Sequence, residues 1–469
     1  MKTNKIAKKP TIFTHEGAVA VHISTEQELR RSVLANMLWE NEFYESGADN
    51  AQRITVLCDR LLKEPKGAAK LADLAYEART HFKLRHVPLH LLVSLIRANT
   101  PVTRDVVAEA ITRTIQRPDE MGELVAMFWK ANGGRKMLTH QMKRGLAGAL
   151  QKFNEYELAK WNTGSAAVTV RDVLFLSHAE PSSTEQADLW KRLAANELKT
   201  PDTWEVALSG GADKKTTFTR LLTEKKLGAM ALLRNLRNML DAKVSMDLIR
   251  SGLQTMKTER VLPFRFLTAA KYAPKLEPEL EQAMFRCLSG QEKLPGKTIM
   301  VVDCSGSMHG QLSSKSELDR LGAAAALAML LREVCEEVAV YATAGDDAKR
   351  KHATMLIPPR RGFALRDLLD YGKTVRQIGG GGIFLKQVID YIREQESTTD
   401  RIIVITDEVD CDLVNKPASA KPFGEYNYLI NVASYKNGIG YGDWTHIDGW
   451  SEAVIDYIQQ YERVVSTDN

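Results

Sequence analysis

The sequence predicts two folds in one chain: an all-α solenoid over residues 21–295 and an α/β doubly wound domain over 296–469. Three observations carry this. In the first part, apolar residues recur at helical spacing in one segment after another. In the second part, short β-former runs alternate with helical stretches, and two of the runs end in Asp303 and Asp407. Between them Pro295 and Gly296 break both patterns.

Each helical segment has a stripe. Ser24 with Gln27 three residues on forms a capping box that starts the first helix, and Leu34 and Leu38 follow on its apolar face. Ile54, Leu57, Cys58 and Leu61 fit the i, i+3, i+4, i+7 template, as do Leu71, Leu74, Ala75 and Ala78. Leu124, Val125, Phe128 and Trp129 make a further stripe, and Leu232, Leu233, Leu236 and Leu240 another. Helices of roughly 10–15 residues with short polar joints stack as an α-solenoid. No repeat period is clean, so the architecture rests on helix count, and Gly145 and Gly148 weaken the pattern in their segment.

The second part reads as a strand to Asp303, an Ala-rich helix from about Leu318 to Glu336, and a strand from Val338 to Thr343. A helix near Phe363–Tyr371, the glycine run 379–382 and a helix from about Ile383 to Glu396 follow. Arg401–Thr406 and Tyr428–Ala433 are strands, and a last helix starts after Ser451 and runs to about Tyr461. This alternation implies right-handed crossovers and a sheet with buried central strands.

The chain has 469 residues, 44% of them hydrophobic, and a mean hydropathy of -0.27, the values of an ordinary globular protein. No apolar run reaches the ~18 residues needed to span a membrane. Residues 1–20 form a basic tail without an apolar core, so no secretory signal is read there. The five cysteines (Cys58, Cys287, Cys304, Cys335, Cys411) have no paired spacing, which excludes a zinc ribbon or disulfide frame and fits a reducing, cytoplasmic setting.

The net charge of +5 hides an asymmetry. Residues 1–295 hold 45 Lys+Arg against 34 Asp+Glu, and residues 296–469 hold 19 against 25. Two stretches of the basic half contain no acid. One runs from Glu77 to Asp105 with Arg79, Lys83, Arg85, Arg97 and Arg104; the other from Glu123 to Glu155 with Lys130, Arg135, Lys136, Lys143, Arg144 and Lys152. Runs this one-sided suit a phosphate-binding surface, whereas solvated helix faces usually carry interspersed acids.

Asp303, Ser305 and Ser307 place one carboxylate and two hydroxyls on a loop leaving the carboxyl end of a strand, where open α/β sheets hold ligands. Asp407 ends a second strand and reaches the same rim. Hard oxygen ligands suit a small divalent cation such as Mg²⁺. The Asp-x-Ser-x-Ser pattern resembles the metal-ion-dependent adhesion site of von Willebrand factor A domains. That pattern adds a Thr from an intervening loop, where this chain has only Gly379 to Gly382, so one oxygen ligand is missing. No catalytic set converges here. A second Asp of the aspartyl-phosphate type, a His-Glu-x-x-His, a Gly-x-Ser-x-Gly and a P-loop are all absent from the sequence, and the chain is read as a non-enzyme. Cys304 falls on the opposite face from Asp303 and reads as core.

Several segments then matter together: Phe43-Tyr44-Glu45-Ser46-Gly47, Leu84-Arg85-His86-Val87-Pro88-Leu89, Lys143-Arg144-Gly145-Leu146-Ala147, the run 171–178 ending in Leu176-Ser177-His178, and Val261-Leu262-Pro263-Phe264-Arg265-Phe266. In this order, before a von Willebrand factor A-like domain, they resemble the TROVE domain of the Ro autoantigen family. The resemblance implies a ring of HEAT-like helical repeats closed by the C-terminal domain. It implies binding of single-stranded 3′ ends of misfolded non-coding RNA in the hole and of a small Y RNA on a basic outer surface, with an exoribonuclease tethered through RNA in bacterial members. RNA quality control or an RNA–protein scaffold by a monomer follows. Carried over residue by residue, the RNA contacts fall on His178 and Lys160, with Lys143 and Arg144 on the basic surface and Lys136 beside them. For His178 the plain alternative is a helix-terminal histidine satisfied by backbone. For the whole chain it is a metal-dependent protein-adhesion scaffold without RNA, which a steep salt dependence of RNA affinity would exclude.

Overall fold

The computed structural model describes residues 12–13, 19–20, 24–35, 47–259, 261–312, 318–370, 377–378, 380–408, 420–433, 443–448 and 453–467. Phe43 to Ser46, Gly379, Cys411, Ser451 and all but four residues of the 1–20 tail lie outside them. The chain divides into two compact units, one of Thr25–Val33 with Ala51–Cys287, the other built around Leu288–Asn469.

Two-residue strands β1 (Ile12–Phe13) and β2 (Val19–Ala20) pair antiparallel. Helices then follow in succession: α1 (Thr25–Ala35), α2 (Gly47–Leu61), α3 (Gly67–Thr80), α4 (His86–Ala98), α5 (Pro101–Thr114) and α6 (Pro118–Ala131). Next come α7 (His140–Leu150), α8 (Glu155–Trp161), α9 (Val170–Ser177), α10 (Thr184–Ala195), α11 (Trp204–Ser209) and α12 (Lys214–Thr223). The unit is completed by α13 (Ala229–Asp241), α14 (Met246–Thr255), α15 (Phe264–Tyr272) and α16 (Glu277–Leu288).

Local chemistry sets the ends of these helices. Thr100, Asn154 and Thr169 cap α5, α8 and α9, each closing a capping box with the residue three further on. Pro101 and Pro118 take the first helical position, where a missing N–H costs nothing. Packing is by alternation. Helix α3 packs on α5, α5 on α7 and α7 on α9, while α4 packs on α6, α6 on α8 and α8 on α10. Two such layers are a solenoid of stacked helix pairs. The stripes read from the sequence face this core: Ile54, Leu57, Cys58, Leu61, Leu71, Leu124 and Leu232 are almost fully buried. Trp129 and Leu240 are only half-buried; Met239 fills the inner position beside Leu240. Gly145 and Gly148 are there for the α5 crossing. A Cβ at Gly145 would lie 2.7 Å from the Ile111 Cβ, and one at Gly148 2.7 Å from the Thr112 hydroxyl. At this close approach Thr112 Oγ1 donates to the Gly145 carbonyl at 3.1 Å.

The second unit carries β3 (Leu294–Asp303), α17 (Arg320–Val334), β4 (Cys335–Asp346), β5 (Lys351–Leu356) and α18 (Gly362–Asp370). It continues with α19 (Leu385–Gln395), β6 (Arg401–Thr406), β7 (Tyr426–Asn431), β8 (Thr445–Asp448) and α20 (Ala453–Thr467). The sheet order is β5-β4-β3-β6-β7-β8, parallel except for the β4–β5 edge pair. Ile299, Val301, Ile402, Val404 and Leu429 pack with Leu385, Val388, Ile389 and Ile392 of α19 on one face. Helix α17 lies against β3, β4 and β6. This is the doubly wound sheet that the sequence predicts, with β5 and β8 as added edge strands.

The amino end of β6 holds a buried cation. Arg401 is 1% exposed and donates through Nε to Glu462 Oε1 at 2.5 Å and through Nη1 to Thr298 Oγ1 at 2.8 Å. Tyr428 donates to the same Glu462 oxygen at 2.9 Å, so a guanidinium and a phenol converge on one carboxylate of α20. Burial and then the Glu462 charge push the Tyr428 hydroxyl well above the ordinary phenol range. Removing one partner of a buried pair leaves an uncompensated charge, at a cost of about 3–5 kcal/mol. Glu462→Ala is therefore expected to lower the melting transition of the C-terminal unit by that amount, read by calorimetry, and Arg401→Met with Glu462→Leu to recover most of it. A single variant as stable as the parent would show that the network does not anchor α20.

Candidate RNA interface and the Asp-Ser-Ser rim

The five residues read as RNA contacts all lie between α6 and the end of α9. Lys136 is exposed in the loop before α7, and its carbonyl accepts the Trp129 indole N–H at 2.8 Å. Lys143, half-buried, and Arg144, exposed, are neighbours on α7, which packs against α9. His178 is the exposed C-cap of α9, in the left-handed region at φ 52° with its N–H on the Phe175 carbonyl at 3.4 Å. The helix-terminal alternative thus describes its backbone, while the imidazole faces solvent.

Lys160 sits on α8 amid aromatic rings. Its Nζ is 5.9 Å from the Tyr156 ring centre and 5.6 Å from that of Trp161. Arg117 stacks on Trp161 at 3.7 Å, and Arg171 lies over Phe175 at 5.6 Å. Arg171 also ties α9 to the end of α8, its backbone N–H donating to Asn162 Oδ1 at 3.2 Å. Tyr156 and Phe175 are large rings more than half exposed, 51% and 55%. The sequence reading missed this cation–aromatic surface. Its signal was there: Tyr156 with Lys160 and Arg171 with Phe175 are i, i+4 pairs, the spacing that puts a cation over a ring on one helix face.

The acid-free stretches are not acid-free in space. Arg79 pairs with the buried Glu120 at 2.7 Å, and Arg85 with Asp119 at 2.7 Å and also with Glu123. Arg117 pairs with Asp119 at 2.6 Å. The acids of α6 thus neutralise cations from the last turn of α3, the α3–α4 loop and the residue before α6 itself. Lys152 is also diverted, its ammonium donating to the carbonyls of Thr112 and Ile115 at the end of α5. Arg97, Arg104, Arg135, Lys136 and Arg144 are the members of those stretches that stand exposed on the surface with no acid of this kind against them among the described contacts.

In the second unit, parallel pairing of β3 with β6 brings Asp303, Ser305, Ser307 and Asp407 together, because Val302 stands opposite Ile405 and both strands end at the same rim. Asp303 is fully buried. Its Oδ1 accepts from the Ser305 N–H at 2.8 Å and its Oδ2 from Thr406 Oγ1 at 2.6 Å. The hydroxyls of Ser305 and Ser307 are 3.1 Å apart, and Ser307 donates to Asp407 Oδ1 at 3.1 Å. Burial, and after it the Asp407 charge, push the Asp303 carboxyl up to about 7. Beyond Asp407, the buried Glu408 takes φ 60° and pairs with the buried His446.

One residue at the rim was not foreseen. Arg320, the first residue of α17 and 2% exposed, donates through Nη1 to Asp407 Oδ2 at 2.8 Å and to the Ser307 carbonyl at 3.0 Å. The loop from the glycine run adds backbone alone: Gly306 N–H donates to the Gly381 carbonyl at 3.2 Å. The divalent cation that the adhesion-site pattern implies does not fit this donor set. Mg²⁺ asks for near-octahedral oxygen ligation, whereas both Asp303 oxygens and both Asp407 oxygens are already taken by donors, one of them a guanidinium. Among the described residues no group of three or more His, Cys, Asp or Glu side chains gathers to hold a metal. None of the helices described is long and apolar enough to cross a membrane.

Comparison with known proteins bears on both units. The family model described as the TROVE domain matches residues 178–320. Telomerase protein component 1 of Mus musculus is 39% identical over 89 residues, 18% of this chain, and that of Rattus norvegicus is 37% identical over the same length. The chain spans 3% of the length of these curated relatives. The crystal structure of the Deinococcus radiodurans RO (RSR) protein aligns with a TM-score of 0.62 at 17% identity, covering 94% of this chain and 99% of that one. At that identity the likeness shows the fold, a helical-repeat unit followed by a von Willebrand factor A-like domain. The resemblance to the Ro family read from the sequence is thereby supported.

The two kinds of cation should separate by experiment. Arg79→Ala strands the buried Glu120 and is expected to cost about 3 kcal/mol of stability. Arg97→Ala, on the exposed face, is expected to change stability by less than ~0.5 kcal/mol. Thermal unfolding of the two variants side by side checks this; equal losses would mean that the α3–α6 ion pairs do not carry the packing.

Proposed function

We propose that this Ro-like chain, whose residues 178–320 match the TROVE domain, is an RNA-binding protein. Its helical unit takes single-stranded 3′ ends of misfolded non-coding RNA and a small, structured Y-like RNA. The observation that carries the reading is the cation–aromatic surface of α8 and α9: exposed Tyr156 and Phe175, with Lys160 and Arg171 over the rings. Single strands are held by base stacking on such rings together with phosphate neutralisation. Structured RNA is read by shape and backbone, a task for Lys136, Lys143 and Arg144 on the neighbouring loop and helix, with the solvent-facing His178. The closed ring belongs to the same proposal, as do a cytoplasmic role in RNA quality control or scaffolding and an exoribonuclease recruited through the RNA. The role is binding rather than catalysis.

Affinity for a single strand should fall with salt, with a log–log slope of roughly 0.7 per phosphate neutralised. Lys143→Ala with Arg144→Ala should reduce that slope and weaken binding without loss of fold; an unchanged slope would return the pair to a plain solvated face. Tyr156→Ala with Phe175→Ala should weaken single-strand binding by about 1–3 kcal/mol per base unstacked, with little change in the salt slope. His178→Ala should cost a stem-containing RNA more than a single strand. Absence of RNA binding at low salt, in an electrophoretic titration reaching the ~10⁻⁴–10⁻⁶ M range of non-specific binders, would sink the reading.

A further inference from the structure

We infer that the guanidinium of Arg320 holds the cation position of the Asp-Ser-Ser rim, so that this rim is a closed, metal-independent latch rather than a divalent-cation site. Four observations converge on it. First, Arg320 is buried and bonded to the side chain and the loop that a metal would bridge: Asp407 Oδ2 at 2.8 Å and the carbonyl of Ser307 at 3.0 Å. Ser307 follows β3, Asp407 follows β6 and Arg320 opens α17. One cation therefore ties the three segments that a bound ion would tie.

Second, the guanidinium packs against Gly310, since a Cβ there would lie 2.9 Å from the Arg320 Cζ, and the backbone N–H of Arg320 donates to the Gly310 carbonyl at 3.0 Å, which fixes the start of α17 on the same residue. Third, the missing hydroxyl cannot be supplied by the loop as it lies. A Cβ at Gly381 would stand 2.5 Å from the Gly345 carbonyl oxygen, and the Gly381 N–H donates to that same oxygen at 3.0 Å. The glycine is needed for the close approach of this loop to β4, so a threonine there would displace it. Fourth, an arginine at the first position of a helix opposes the positive end of the helix dipole. Such a placement persists where a carboxylate compensates it, and Asp407 is that carboxylate. A dication coordinated by Asp407 would have to sit beside the guanidinium, with like charges next to carboxylates that are fully buried.

The probe is Mn²⁺, a paramagnetic stand-in for Mg²⁺, titrated into the full chain and followed by electron paramagnetic resonance. The parent protein is expected to show no rim-dependent binding up to about 1 mM, the weak end of protein sites for hard divalent cations. Arg320→Ala, which leaves Asp303 and Asp407 facing each other without a cation, is expected to gain Mn²⁺ affinity by at least roughly tenfold. The gain should vanish when Asp407→Ala is added. Parent binding below about 1 mM that Asp303→Asn abolishes would overturn the inference. So would a folded Arg320→Ala that gains nothing, because Arg320 would then not be what excludes the ion. Should Arg320→Ala fail to fold, Arg320→Gln, with shorter reach and no charge, takes its place, and the same gain or absence of gain decides.

Discussion

A buried guanidinium must meet a carboxylate, because an ion taken out of water without a partner costs several kcal/mol. Arg320 and Arg401 meet that requirement here, and the buried Glu120, met by the partly exposed Arg79, meets its converse; much of the structure depends on these pairs. Arg79 on Glu120 joins α3 to α6 within the solenoid. Arg401 on Glu462 fixes the last helix under the amino end of β6. Arg320 on Asp407 closes the carboxyl end of the same sheet, where the first turn of α17 meets the loop after β6. In each case the partners are far apart in sequence and come from different elements. The pairs therefore select the arrangement of helices and strands as well as contributing to its stability.

The same constraint changes what the charge of the helical half means. Its excess of cations suggests a uniform basic face, but part of that excess is consumed internally. Arg79, Arg85 and Arg117 are spent on the acids at the start of α6, which also suit the positive end of that helix. The exposed cations without an acid against them among the described contacts are the smaller set of Arg97, Arg104, Arg135, Lys136 and Arg144. A compensated arginine adds little to a salt slope, so under the proposed RNA binding the slope follows those few residues and not the charge count of the half.

How far the fold could be read from the sequence follows from burial. Helical stripes and the strands ending at Asp303 and Thr406 are strongly apolar and were legible to within a few residues. Strand β5 was not, because as an antiparallel edge it is half-exposed and carries Lys351 and His352; β8 was not, because Thr445–Asp448 is four residues long. Asp303, Ser305, Ser307 and Asp407 could be grouped because parallel strands end at one rim. Arg320 could not, since a helix-opening arginine next to Asp319 looks like an ordinary solvated terminus. The clue was the conflict with the helix dipole together with the glycine-only loop. The segments 43–46 and 411, and the helix start at Ser451, lie outside the described residues.

The aromatic surface of α8 and α9 shows how ion pairs and stacking divide the work. Arg117 covers one face of Trp161 while its charge is held by Asp119, so that ring is already occupied and its cation already compensated. Tyr156 and Phe175 differ. Each has a cation at five to six ångströms and still leaves more than half of its side chain to solvent. A base can stack on such a ring while the nearby ammonium or guanidinium meets its phosphate, which joins the two favourable terms of single-strand binding at one place. Trp161 with Arg117 is thus the covered ring of the surface, and Tyr156 and Phe175 are its open ones. The residue that looks most like a stacking platform from its type alone, the tryptophan, is the one whose ring the fold has already used.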